Sequence, residues 1–345
     1  MKNITYFLGA GASYNSNPIQ KELSNKMMQL ANKYLPEEKK DFTTSKPPDL
    51  SSQENILWDI GYFGNKAIQY GSIDTYAKKL IFSGSPQELE RLKLAVSIFF
   101  TLWQFTDDIE LKDPERYSDI EIDRRFIQLL ASVLNKTNDH FPSLQDNIRF
   151  VTWNYDLQIE FAYKAFCPEG ATWKDVVQNL RSQTFDNKAG EIQICHLNGY
   201  HGFYSTPSGE KNILDLIDSK DVNTNLNKIS YLYNSQNHGT ADITRHIHFA
   251  WEADPSNTAD ALEQAKRIFS KTDILVIIGY SFPYFNKDID KQLFDKLIGR
   301  RTIIHYQDPK ASEEIISHFV YLGTKETKLE IRPISEDGFF RPYEI

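Results

Sequence analysis

Two hydrophobic rhythms divide the chain. Between residues 19 and 134, apolar positions recur every three or four residues, the spacing of helices with one buried face. Ile19, Leu23, Met27, Leu30, Ala31 and Tyr34 mark the first such face. Ile56, Ile60, Phe63 and Ala67 mark a second, and Leu89, Leu92, Val96, Phe99, Phe100 and Trp103 a third. Phe126, Leu129, Leu130, Val133 and Leu134 mark a fourth. The polar, proline-containing residues 36–52 read as a loop between the first two. Elsewhere the rhythm is that of strands. Short runs rich in β-branched and aromatic residues occupy 4–8, 148–153, 192–197, 246–251, 274–278 and 302–306.

Helical patterns separate several of these runs. One covers residues 260–269, with Glu263 and Arg267 at a supporting i,i+4 spacing. Another carries Ile289, Leu293, Phe294 and Leu297. Strands alternating with helices predict an α/β fold, a Rossmann-like and mostly parallel sheet. The expected organisation is a sheet domain from residues 1–18 and 145–345, interrupted by a helical insert at 19–144. No internal repeat or long low-complexity tract is present.

Composition narrows the function classes. At 345 residues, 40% hydrophobic and 13% aromatic, the chain can bury a sizeable core. A net charge of −8, with no lysine- or arginine-rich block, argues against nucleic acid as a partner. Two cysteines, Cys167 and Cys195, can build neither a four-thiolate zinc site nor a disulfide framework. The apolar run 94–105 is broken by Ser97, Thr101 and Gln104 and is too short to span a bilayer. The N-terminal run reads as a strand rather than a signal peptide. A reduced cytoplasm, without membrane attachment, is the expected setting.

Four short segments carry candidate chemistry. Gly9-Ala10-Gly11-Ala12-Ser13 follows the first strand and precedes a helical pattern. Glycines there allow close backbone approach, and a helix N-terminus would offer N–H groups to a phosphate. An ordinary strand-to-helix turn uses the same residues. In Thr152-Trp153-Asn154-Tyr155-Asp156, strand alternation would set Thr152, Asn154 and Asp156 on one face. Asn154 can donate and accept, and Asp156 can accept from sugar hydroxyls or amides. The competing reading is a turn that caps the helix starting near Leu157.

Cys195-His196-Leu197-Asn198-Gly199 sets a histidine at a strand end before a glycine loop. His196 there could serve as a general base or be a buried structural side chain. His201 lies in the same loop. His246 and His248 share a strand face, but no third metal ligand is evident, and no metal is expected. The other histidines, His140, His238, His305 and His318, read as surface or structural. Gly279-Tyr280-Ser281-Phe282 ends a buried strand where ribose or phosphate could pass, or merely makes a turn. Asp308, before Pro309, could accept from ribose hydroxyls or belong to a polar turn.

The order Gly-Ala-Gly-Ala-Ser, Thr-Trp-Asn-Tyr-Asp, His-Leu-Asn-Gly, Gly-Tyr-Ser-Phe resembles the sirtuin superfamily. It is most similar to the sirtuin-like NAD hydrolases of bacterial antiphage defence. The match covers residues 1–18 and roughly 145–310. The resemblance implies NAD⁺ as substrate, with Asn154 and Asp156 beside the nicotinamide ribose and His196 as base. It implies a pyrophosphate loop at Gly9, Ala10, Gly11 and Ser13 and an adenosine side at Gly279 and Ser281; Ala12, Thr152 and Asp308 complete the expected cofactor-binding set.

Two departures stand out. Protein-deacylating sirtuins carry a four-cysteine zinc module, which two cysteines cannot build. They also follow the glycine turn with an Ile-Pro-Asp-Phe-Arg-like segment, where this chain has Asn17-Pro18-Ile19-Gln20. The expectation is therefore an NAD⁺ glycohydrolase acting in antiphage defence by NAD depletion. The alternatives are a deacylase or ADP-ribosyltransferase, and a non-catalytic NAD⁺ or ADP-ribose sensor. The stretch after residue 310 is too short for a sensor domain of its own. Activation in trans is expected, by a sensor protein encoded nearby, in an oligomer or hetero-complex.

Overall fold

The run Ile4–Leu8 (β1) is buried at all five positions, the pattern of a strand covered on both faces. In the computed structural model it is the centre of a six-stranded, all-parallel sheet. The other strands are Ile148–Thr152 (β2), Ile194–His196 (β3), Ile274–Ile278 (β4), Ile303–Gln307 (β5) and Glu330–Ile334 (β6). The structure describes all residues except 120, 138–139, 183–190, 207–208, 218, 238–246, 250–251, 253–257, 298–300, 309–329, 335–337 and 345. The strand order is β3-β2-β1-β4-β5-β6. That is the doubly wound, Rossmann-like order, and it reverses direction between β1 and β4.

The chain forms two compact units. The sheet unit comprises residues 1–13, 122–199 and 249–345, and the helical unit residues 14–121 and 200–248. The boundaries differ from the expected 1–18, 145–345 and 19–144. Residues 122–144, with helix α5 (Arg124–Val133), join the sheet unit, and the helical unit draws in 200–248.

In the sheet unit, side chains alternate across the strands. Phe7, Val151, Cys195, Leu275, Ile277, Ile304 and Tyr306 share one core with Ala265, Phe269, Leu293 and Phe294. The last four come from helices α9 (Thr258–Lys271) and α10 (Lys287–Phe294). Phe7 is the hub, meeting Phe269, Tyr280 and Phe294 edge-to-face at 5.4, 5.0 and 6.2 Å. Such pairs add about 0.5–1.5 kcal/mol each beyond burial. Neighbouring strand positions, including Tyr6, Phe150, Thr152 and His196, turn to the opposite face. Tyr6 and Phe150 stack there at 5.1 Å. Helix α6 (Gln158–Lys164) meets His196 on that face and is followed by α7 (Trp173–Asn179).

The helical unit is built from α1 (Gln20–Tyr34), α2 (Ser52–Tyr70), α3 (Ile73–Phe82), α4 (Pro86–Phe105) and α8 (Val222–Asn237). A two-stranded antiparallel hairpin, Phe203–Thr206 with Gly209–Asn212, accompanies them. Helix α2 starts where the polar loop ends. Ser51 and Glu54 form a capping box there, and Gly71 in left-handed conformation closes the helix. Helix α4 starts at Pro86, whose missing N–H costs nothing in a first turn.

All four expected helices of the first half are present, as α1, α2, α4 and α5. Helices α3 and α8, the hairpin and strand β6 were not expected. β6 lies beyond residue 310, so the sheet does not end where the sequence pattern fades. Of the expected strand at 246–251, residues 246, 250 and 251 lie outside the described residues, and 247–249 form no strand. A further difference concerns the glycine turn. After β1 the chain makes a single 3-10 turn, Ala10–Ser13, and the first α-helix waits until Gln20. No α-helix starts directly at this turn.

Gly279 has φ +61°, and a Cβ there would overlap the backbone at Ala12 N and Gly11 C. Gly170 has φ +83° with nothing within 4 Å of such a Cβ. Gly170→Ala should therefore cost only the left-handed penalty, about 1–2 kcal/mol. Gly279→Ala should lower the thermal unfolding midpoint well beyond that, because backbone must also move. Equal midpoints in the two variants, read by circular dichroism, would refute the packing argument.

Candidate functional site

The carboxyl ends of β1, β2, β3 and β4 meet at the point where the strand order reverses. Ligands bind there in open α/β sheets. Backbone bonds join these ends into one ledge. Gly9 N donates to Ile278 O at 3.0 Å, Gly11 N to Gly279 O at 2.9 Å, and Trp153 N to Leu8 O at 3.0 Å. Leu197 N donates to Thr152 O at 2.8 Å, and Gly279 N to Gln307 O at 3.0 Å.

The glycines are required by each other. A Cβ on Gly9 would stand 2.6 Å from Gly279 O and Tyr280 Cα, and one on Gly11 2.7 Å from Gly279 Cα. All three positions thus answer to a backbone-on-backbone crossing between β1 and β4, whatever else they do. Ala10 is exposed at the apex, Gly11 is half-buried, and Ala12 is buried. Arg125 of α5 holds the turn from the other side. Its Nη2 donates to Ala12 O at 3.0 Å, while Asp123 neutralises it through bonds of 2.5 and 2.9 Å.

Asn154 locks the second segment to the first. Its Nδ2 donates to Gly9 O at 3.0 Å and to Ser13 Oγ at 3.3 Å. Its own backbone N–H donates to Thr152 Oγ1 at 3.0 Å. The strand has ended by then, since β2 stops at Thr152. Asn154 and Asp156 therefore converge through an irregular turn rather than by strand alternation. Asp156 accepts from Gln158 N at 3.2 Å, as a turn-capping side chain does, and also from the Ser13 hydroxyl. Both readings of this motif thus hold part of the geometry. Ser13 links the two, taking a hydrogen bond from Asn154 and giving one to Asp156.

His196 lies at the end of β3, 1% exposed. Its Nε2 sits 2.9 Å from Glu160 Oε1, and Glu160 is fully buried on α6. Ser182 Oγ donates to the same carboxylate oxygen at 2.9 Å. Glu160 is the residue that sequence reasoning missed. A signal was available: it sits among Ile159, Phe161 and Ala162, so a helix packed on the sheet must bury a carboxylate that needs a partner.

Burial shapes the charges of this cluster. It pushes Asp156 up to about 6, against the Ser13 and Gln158 hydrogen bonds and the charge of His196. For His196, burial opposes the imidazolium. The Glu160 carboxylate, the Asn154 backbone and Asp156 outweigh it and hold the ring above its ordinary value. Asp156 and His196, close together in this cluster, are thus both raised, a perturbation that marks the cluster as a candidate site.

The structure thus gathers Gly9, Gly11, Ala12, Ser13, Thr152, Asn154, Asp156, His196 and Gly279 along one ledge. Ser281 is exposed just past β4, and Asp308 is half-buried just past β5. Ala10 is the exposed member of the glycine turn. His201 belongs elsewhere. It is buried in the helical unit, with Nδ1 3.0 Å from Thr101 Oγ1. His246 lies outside the described residues. Among the described residues, no group of three His, Cys, Asp or Glu side chains could hold a metal ion. No helix among them is long and apolar enough to cross a membrane.

No protein-family model matches the chain, and a search of curated proteins returns no match.

A buried acid backs the β4 end of the ledge. Tyr280 Oη donates to Asp290 at 3.0 and 2.8 Å, and Asn286 Nδ2 donates to Tyr280 Oη at 3.0 Å. Burial raises Asp290 well above the usual carboxylate range, against its hydrogen bonds. The folded state thus favours protonated Asp290. Its contribution is fully present below about pH 4 and is lost as pH rises, because the unfolded chain ionises first. Asp290→Asn, which keeps an acceptor for Tyr280, should raise the thermal midpoint at pH 8 relative to the unmodified protein. The gain should shrink towards pH 4. A gain independent of pH would show that Asp290 is ionised in the fold.

Proposed function

We propose that the ledge binds NAD⁺ and cleaves its nicotinamide–ribose bond, releasing nicotinamide and ADP-ribose. The observation that carries this reading is the convergence of Asn154, Asp156 and His196 at the switch point of a Rossmann-like sheet. Each is held by protein partners, next to a glycine turn with one exposed apex. The resemblance to sirtuin-like NAD hydrolases supplies the substrate class.

In this reading, Gly9 to Ser13 lie along the pyrophosphate, with Thr152 behind them. Gly279, Ser281 and Asp308 lie along the adenosine side. Asn154 has its amide nitrogen committed to Gly9 and Ser13, so its Oδ1 orients the attacking water or a ribose hydroxyl. Asp156 sits beside the ribose and offsets the positive charge that develops as the bond breaks. The electron pair of the broken bond goes to the pyridinium nitrogen, leaving neutral nicotinamide. Water oxygen forms the new bond to the ribose carbon, and its proton passes to His196 and then to solvent.

The wider role rests on the same resemblance. The protein would be a toxic effector in antiphage defence that depletes NAD in the cytoplasm. A partner encoded nearby would activate it, within an oligomer or hetero-complex, with no metal, direct nucleic-acid contact or membrane attachment. Protein deacylation and ADP-ribosyl transfer are the second reading, and a non-catalytic sensor the third. The buried cluster with its raised Asp156 and His196 favours catalysis over sensing.

The test is NAD⁺ turnover by the chain alone and with proteins encoded beside it, followed by chromatography of nicotinamide and ADP-ribose. His196→Ala should cut nicotinamide release by about 10²-fold or more. Asn154→Ala should do the same while both variants keep the circular dichroism of the unmodified protein. Unchanged release in both would overturn the assignment. Tight NAD⁺ binding without release under any combination would leave a sensor.

A further inference from the structure

The resemblance assigns a role to His196 but none to the carboxylate that touches it. Glu160 and His196 are 0% and 1% exposed and 2.9 Å apart, the most deeply buried ionic contact of the sheet unit among the described residues. A buried carboxylate stands only where a cation or several donors face it. Here Oε1 takes Ser182 Oγ and the histidine ring, whereas Oε2 has no hydrogen-bond partner among the described residues. A carboxylate so incompletely satisfied is costly for the fold. An isosteric amide, or an apolar side chain facing a neutral histidine, would cost less. A carboxylate kept in such a place points to a use.

We propose that Glu160 is a positioning residue for the site: its carboxylate holds the His196 ring in one orientation and supplies that ring's buried counter-charge. This rests on the reading of the ledge as an NAD⁺ hydrolase. A proton leaving the substrate water passes to the His196 ring, which Glu160 holds through Nε2. Glu160 then stabilises the imidazolium that forms, as a carboxylate does when it orients a histidine base. The proton is released from the ring to solvent as product departs.

The ionisable groups acting on His196 are Glu160 from α6 and Asp156 from the turn before α6, with the Asn154 backbone beside them. Asp156 and Glu160 are one helical turn apart in sequence but differ in what they face. Asp156 is tied to Ser13 of the glycine turn, and Glu160 to Ser182 and the ring. One carboxylate is thus placed towards the ligand ledge and the other behind the histidine.

Glu160→Gln keeps the shape and removes the charge. The experiment titrates the His196 Cε1–H signal by NMR in histidine-labelled protein, assigned by its loss in His196→Ala. The unmodified protein should hold its imidazolium to above pH 6.5. The Glu160→Gln midpoint should fall by about one unit or more. Ser182→Ala, a milder change, removes a donor to Oε1, leaves the carboxylate more basic and should move the midpoint the other way. Overlaid titrations in all three proteins would overturn the proposal.

The kinetic arm uses the same variants. The acid limb of kcat against pH should move down with the His196 midpoint in Glu160→Gln, and kcat at the optimum should fall by about 10²-fold. A fall in kcat without movement of the acid limb would make Glu160 merely structural. If no NAD⁺ is turned over by any of the proteins but the titrations separate as stated, Glu160 does govern His196 and the hydrolase reading is what fails.

Discussion

The close crossing of Gly9 and Gly11 over Gly279 is the constraint on which the sheet unit depends. Two parallel strands, β1 and β4, lie side by side at the point where the winding reverses. The chain leaving β1 must pass directly against the chain leaving β4. A Cβ added to either backbone would lie under 3.0 Å from the other, which leaves no room for a side chain. Everything on the ledge is registered from this crossing. Asn154 reaches Gly9, Ser13 reaches Asp156 and Asn154, and Arg125 closes the turn from α5. A shift of the crossing would move the whole set together.

This gives the glycines a different physical meaning from the one their spacing first suggests. A Gly-x-Gly turn after a strand is usually read as a cradle for phosphate. Here each glycine is already demanded by another glycine's backbone. The solvent-facing positions at this place are Ala10 and Ser281, with Gly11 half-buried. A short 3-10 turn follows β1, and no α-helix starts directly there. Binding of an anionic group at this place would rest on individual N–H groups and hydrogen-bonding side chains.

Behind the ledge, charge is arranged with unequal support. Asp156, Glu160 and His196 share a small buried volume, and Asp290 occupies another behind Tyr280. Burial raises Asp156 and Asp290, and the Glu160 carboxylate holds His196 above its ordinary value. The consequence is that protonation and fold are coupled in this unit. The helical unit shows a different economy. Its buried groups sit mostly on amphipathic helices, and its ion pairs, such as Arg116 with Glu22 or Lys33 with Asp108, are partly open to solvent. Exposed pairs of that kind contribute little to stability.

By itself the sequence determined the periodicities. Hydrophobic repeats of two and of about 3.6 identify β1, β2, β4, β5 and the amphipathic helices α1, α2 and α5, because each element buries one face or both. Four short motifs at strand ends identified the residues that now lie along one ledge. Tertiary structure alone decided the rest. β6 carries no strong apolar rhythm and takes its place from β5, whereas α8 has Val222, Leu226 and Ile229 at helical spacing, all buried, so its signal was in the sequence. Residues 122–144 join the sheet unit and 200–248 the helical unit because packing, not chain order, divides the core. Glu160 meets His196 because α6 lies on the face of the sheet to which β3 turns that ring. No spacing along the chain encodes that meeting, since 36 residues separate them and only the fold brings them to 2.9 Å.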